Sequence, residues 1–129
     1  MIGAERVDFV SIPVRDKDAA AKFYEETLGL ERDPRASHGW PEYRLGDTVL
    51  AIVVPSAIGW EFVPTPPGQI AIRVPDVHEA RRKLEDAGIE FMGDTIDSGV
   101  CHMAFFKDPD GNGLMLHRRY APFEDGTMP

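Results

Sequence analysis

The sequence predicts an α+β fold built from two tandem βαβββ modules, each a curved mixed sheet with one helix on its outer face. Three observations carry this prediction. The chain repeats itself at an offset of 60 residues, so that Val10-Ser11-Ile12-Pro13-Val14-Arg15-Asp16 falls on Ile70-Ala71-Ile72-Arg73-Val74-Pro75-Asp76, Ala20 on Ala80 and Glu25 on Glu85. The order strand, helix, strands then occurs once in each half. Finally, 129 residues with 43% hydrophobic and 28% charged side chains suit one globular domain, or two small halves sharing a core.

The elements follow in order. Val7 to Val14 is short, β-branched and bounded by charge, which reads as a strand. A helix runs from Asp16 to Leu28 with Ala19, Ala20, Phe23, Tyr24 and Leu28 as its apolar positions; Asp16 or Asp18 caps it and Gly29 stops it. Leu30 to Arg35 leads into a second strand, and Trp40–Leu45 with Thr48–Val54 forms a hairpin turning at Gly46-Asp47. Pro55 to Gly68, which holds four prolines, connects the halves. In the second half Gln69–Val74 is a strand, Asp76–Ala87 a helix ended by Gly88, and Ile89–Met92, Val100–Lys107 and Leu114–Tyr120 are strands. Asp108-Pro109-Asp110-Gly111-Asn112-Gly113 is the turn between the last two. Module one thus spans about residues 5–56, the connecting loop about 55–68 and module two about 68–120. The tail 121–129 is polar and is expected to be mobile unless it docks.

Composition excludes several classes. The formal charge of −8 provides no basic face for nucleic acid and mildly favours cationic or neutral ligands. No apolar run reaches the roughly 18 residues of a membrane span, and Met1–Arg6 holds no apolar signal core, so no membrane association and a cytoplasmic location are expected. The single Cys101 cannot form an internal disulfide.

The segments Asp18-Ala19-Ala20-Ala21-Lys22-Phe23-Tyr24-Glu25-Glu26-Thr27-Leu28-Gly29-Leu30 and Phe106-Lys107-Asp108-Pro109-Asp110-Gly111-Asn112 resemble the "FY…LGL" helix and "F.DPDGN" turn of the vicinal oxygen chelate superfamily. That superfamily includes glyoxalase I, extradiol dioxygenases, fosfomycin-resistance proteins and bleomycin-binding proteins. Val74 to Gly88 resembles its second helix, and together the matches cover most of Val7 to Leu116. The resemblance implies two modules around a cleft, with a metal held by His, Glu or Gln at four floor positions in the enzymes. Carried over, those positions are Phe9, Leu50, Gln69 and Met115. Phe and Leu have no lone pairs to give, Met sulfur is soft, and one Gln carbonyl does not hold an ion. The expectation is therefore closest to the bleomycin-binding branch: a metal-independent protein with no cofactor, which sequesters a hydrophobic or aromatic molecule such as an antibiotic and so confers resistance. In that branch two chains pair, so a homodimer is expected. The alternative is a glyoxalase-like lyase or isomerase, or a dioxygenase, with an atypical metal site.

The candidate ligand-binding residues are Phe9, Trp40, Tyr43, Leu50, Trp60, Phe62, Gln69, His102, Phe105, Met115 and His117. Gln69 is the one polar anchor of the expected floor. Trp40 and Trp60 either plug a seam or stack on a flat ligand. His102 and His117 are either ordinary strand histidines or meet across the hairpin as half a metal site or a general base. His78 lies on a charged helix and reads as a surface residue, and Cys101 as a small buried hydrophobe. His38 has no assigned role.

Overall fold

A computed structural model describes residues 1–37 and 39–129; His38 lies outside the described residues. The chain divides into two compact units, Met1–Pro64 and Thr65–Pro129.

The first unit begins with β1 (Val10–Pro13) and α1 (Lys17–Lys22), followed by the hairpin β2 (Glu42–Leu45) and β3 (Thr48–Val53). Asp16 caps α1: its Oδ1 accepts from the Asp18 and Ala19 amides at 2.9 and 3.1 Å. The helix does not end at Lys22. It widens into a π turn over Phe23–Thr27, where the Leu28 amide reaches back to the Phe23 carbonyl at 3.1 Å, and Gly29 turns the chain at φ +74. The sheet has the order β1-β3-β2, with β1 parallel to β3 and β2 antiparallel to it. The strand expected over Leu30–Arg35 is reduced to one bridge, Arg32 with Tyr43. Asp33 accounts for this: its Oδ1 accepts from the Arg35 amide at 2.9 Å, turning the chain at Asp33-Pro34.

The second unit contains β4 (Ile70–Arg73), α2 (Val77–Asp86), β5 (Ile96–Asp97), β6 (Cys101–Lys107) and β7 (Gly113–Arg119) in the order β4-β7-β6-β5. Asp76 caps α2 through the Glu79 amide at 3.0 Å, and Gly88 follows its end at φ +91. Ile89–Met92 does not form the expected strand. Phe91 makes one bridge to Phe106, the Met92 amide donates to the Phe105 carbonyl, and Gly93 at φ +71 then turns the chain. The edge strand is β5 instead. Gly113 is fixed by close approach: a Cβ there would lie 2.5 Å from the Pro67 Cα and 2.6 Å from the Pro66 carbonyl oxygen. The tail docks on this unit, with Arg73 donating to the Pro129 carbonyl at 3.1 Å and Arg119 to those of Ala121 and Pro122.

Each sheet buries one face under its helix. In the first unit that face holds Ile12, Tyr43, Leu50 and Ile52; in the second it holds Ile70, Ala104, Phe106, Leu114 and Leu116. Among the described residues no helix is long and apolar enough to cross a membrane.

Candidate functional site

The face of each sheet turned away from its helix is where candidate residues gather. On the first sheet alternation puts Ser11, Glu42, Arg44, Val49, Ala51 and Val53 on that side. Phe9, half exposed just before β1, joins them. It lines a depression of about 390 Å³ with Glu42, Arg44 and Val49, and a second of about 190 Å³ with Trp40, Glu42, Ala51 and Val53. The Trp40 ring sits 5.4 Å from the Lys17 ammonium. On the second sheet the equivalent side carries Ala71, Arg73, Met103, Phe105, Met115 and His117. Gly68 lies over it, since a Cβ there would be 3.6 Å from Phe105 and 3.7 Å from Met115. Exposed Gln69 shares the parity of Ala71.

Three expected residues lie elsewhere. Leu50 pairs with Val10 and Tyr43 on the helix side and is 3% exposed, so it does not share a face with Phe9. Tyr43 is a core residue with no exposed surface. Its ring stacks on Tyr24 at 5.9 Å and its hydroxyl donates to Glu25 Oε2 at 2.9 Å. Burial, then the Glu25 carboxylate, raises its pKa, whereas the hydrogen bond from Arg32 at 2.7 Å lowers that of Glu25. His102 pairs with Arg118 and His117 with Met103, so the two histidines point to opposite faces and do not meet. His102 packs instead against His78 (ring centroids 4.9 Å) and Tyr120 (4.7 Å), its Nε2 3.4 Å from Asp97 Oδ2. Asp97 is held below the usual carboxylate range by hydrogen bonds from the Gly99 amide and the Tyr120 hydroxyl.

Of the remaining aromatic candidates, Phe62 lies under the Arg15 guanidinium at 3.9 Å, and Trp60 is 72% exposed in the loop after Gly59. Sequence reasoning missed Glu42, Arg44 and Ala51. The alternation of Glu42-Tyr43-Arg44 was the available signal, because a buried Tyr43 sends both charged neighbours to the other side.

The charged groups beside Phe9 are mostly matched. Arg6 pairs with Asp8 at 2.8 Å; Arg35 grips Asp33 through Nη2 and Nε at 3.1 and 3.2 Å, and Arg44 lies 3.6 Å from Asp33. The Arg35 side chain and amide together bring the Asp33 pKa down to about 2. At the positions where the resemblance implies metal ligands, the side chains present do not suit a metal ion. Phe9 and its sheet neighbours Val49 and Ala51 have no donor atoms, Met115 offers a soft sulfur and Gln69 one amide oxygen. Among the described residues no three His, Cys, Asp or Glu side chains are grouped to hold one.

The chain matches the Glyoxalase/Bleomycin resistance protein/Dioxygenase superfamily over residues 6–116. A Vibrio parahaemolyticus (serotype O3:K6, strain RIMD 2210633) protein named "Probable lactoylglutathione lyase" is 30% identical over 122 residues, spanning 86% of this chain and 88% of that one. Among solved structures, an antibiotic binding protein from Streptomyces sp. CB03234 superposes with TM-score 0.72 and 27% identity, covering 92% of this chain and 99% of its own. A glyoxalase/bleomycin resistance protein from Streptomyces sp. CB03234 is 33% identical with TM-score 0.62, covering 84% and 96%. The family match over residues 6–116, with the 30% identity to a relative across most of both chains, makes the chain a member of the glyoxalase/bleomycin resistance/dioxygenase superfamily.

Proposed function

We propose that this chain is a small-molecule binding protein that works without a metal and sequesters a hydrophobic or aromatic ligand on the open sheet faces. One observation carries the reading: where the superfamily resemblance leads one to look for metal ligands, the side chains are Phe9, Gln69 and Met115, with Ala51 in place of Leu50 on the side that Phe9 shares. Apolar side chains there favour transfer of an apolar ligand from water rather than Lewis-acid chemistry. The likeness to an antibiotic binding protein makes an antibiotic the proposed ligand class and resistance by sequestration the proposed role.

The test is a screen of aromatic antibiotics by quenching of Trp40 and Trp60 fluorescence, with metal analysis of untagged protein. Saturable binding with no stoichiometric metal is expected. Stoichiometric Mn, Fe, Ni or Zn overturns the reading. A homodimer is proposed with it, and sedimentation equilibrium at twice the chain mass is the expected outcome.

A second reading, a lyase, draws support from the 30% identity to the "Probable lactoylglutathione lyase". Formation of lactoylglutathione that depends on added divalent metal supports this alternative and rejects the first.

A further inference from the structure

We propose that Glu42 is a cation subsite, so that the ligand of the open face on the first sheet is a flat apolar molecule carrying a positive charge. This rests on the reading that this face binds a small molecule, and names which kind.

Glu42 is the first residue of the edge strand β2, on the open face. It lies opposite Ala51 in the β2–β3 register and lines both depressions, the larger with Phe9 and Val49 and the smaller with Phe9, Trp40 and Ala51. The residue is half-buried, and Phe9 from the segment before β1 and Trp40 from the segment before β2 line the smaller depression with it. Among the described residues it has no hydrogen bond and no ion pair, although its backbone carbonyl is occupied by the Asp33 amide at 2.8 Å. A carboxylate with no partner among the described residues gains when a cation arrives, because the Coulomb attraction is new. Aromatic rings beside it add the attraction of a π face for positive charge.

The surrounding cations do not make the face an anion site. Arg6 is bound to Asp8, and Arg35 grips Asp33 through two nitrogens. Arg44 shares Asp33 at 3.6 Å, and Lys17 lies over Trp40. An anionic ligand draws Arg6 or Arg35 away from its carboxylate, or accepts only the loosely held Arg44; a cationic ligand meets Glu42, which has no side-chain partner among the described residues. The chain's net charge of −8 raises the local concentration of cations in the same direction.

The experiment uses three tricyclic probes of similar size: proflavine, a cation at neutral pH; acridone, neutral; and anthracene-9-carboxylate, an anion. Their binding to the full chain is followed by fluorescence anisotropy. Proflavine is expected to bind about tenfold more tightly than acridone, and the anion most weakly. Glu42→Gln should erase the proflavine advantage while acridone affinity and the melting temperature stay as they were. Glu31→Gln, an exposed control that removes the same charge, should keep it. Acridone binding with no cation preference, or a preference that survives Glu42→Gln, overturns the subsite and leaves the binding reading standing. Binding by none of the three overturns both.

Discussion

Asn112 shows how one side chain holds the conformation of a turn. It is fully buried; its Oδ1 accepts from the Thr65 amide at 2.9 Å, and its Nδ2 donates to Asp108 Oδ2 at 2.8 Å. Asp108 Oδ1 accepts in turn from the Asp110 and Asn112 amides. Asn112→Ala strands the Thr65 amide in the interior, and chemical denaturation should show a loss of about 2–3 kcal/mol. Thr65 carries the opposite signature, because among the described residues its buried Oγ1 has no hydrogen-bond partner. Thr65→Val keeps the shape and removes the unmet group, so its denaturation midpoint should equal or exceed the parent's. On the other unit Asp33 is expected to contribute an acid-sensitive share of stability. Its pKa is lowered from 3.8 to about 2, so it contributes stability above its ordinary value and loses it as pH falls from near 4 through about 2. Thermal melts across that range should fall more steeply in the parent than in Asp33→Asn; equal slopes would remove Asp33 from the acid transition.

The two faces of the first sheet are expected to separate stability from binding. Leu50 faces the helix at 3% exposure, so Leu50→Ala should cost about 2–5 kcal/mol and leave acridone affinity unchanged in the folded fraction. Phe9, on the other side and 50% exposed, should cost under about 1 kcal/mol as Phe9→Ala and weaken the same probe. Equal binding losses in both variants would place the ligand elsewhere. The contrast also explains what the sequence could reveal. Helix ends were legible because Asp16, Asp76, Gly29 and Gly88 act through local hydrogen bonds and backbone freedom, although the sequence left the first cap open between Asp16 and Asp18. Face assignment on β3 was not, since Val49-Leu50-Ala51-Ile52 is apolar throughout and has no alternation to read. The histidine pair failed for a related reason. His102 stands opposite Arg118 rather than His117, and a register different by one residue sends a side chain to the other face. The π turn left no trace, because Phe23-Tyr24-Glu25-Glu26-Thr27 satisfies an ordinary helical pattern equally well.

At the scale of the whole molecule the repeat was the most informative signal, because two copies of one pattern constrain each other. Both units place their first strand parallel to their last long strand, and both keep one face under a helix. They differ where punctuation differs: Asp33-Pro34 turns the chain in one unit, while the other regains an edge strand at Ile96–Asp97. Among the candidate binding residues Trp40 stood out as an aromatic, whereas Phe9, Gln69 and Met115 were reached through the family resemblance. Glu42 and Arg44 gained meaning only once the hairpin fixed their side of the sheet. The parallel pairings also set a clock. Val10 meets Leu50, and Ile70 meets Leu114, so neither sheet closes until a connection of dozens of residues has been drawn in. Loop entropy is therefore paid before most ladder contacts form, which puts each unit among slow-folding topologies. A nascent chain whose synthesis has reached Pro13 still lacks the partner of its first strand, and that strand must wait for residues 48–53 to be made before it can pair.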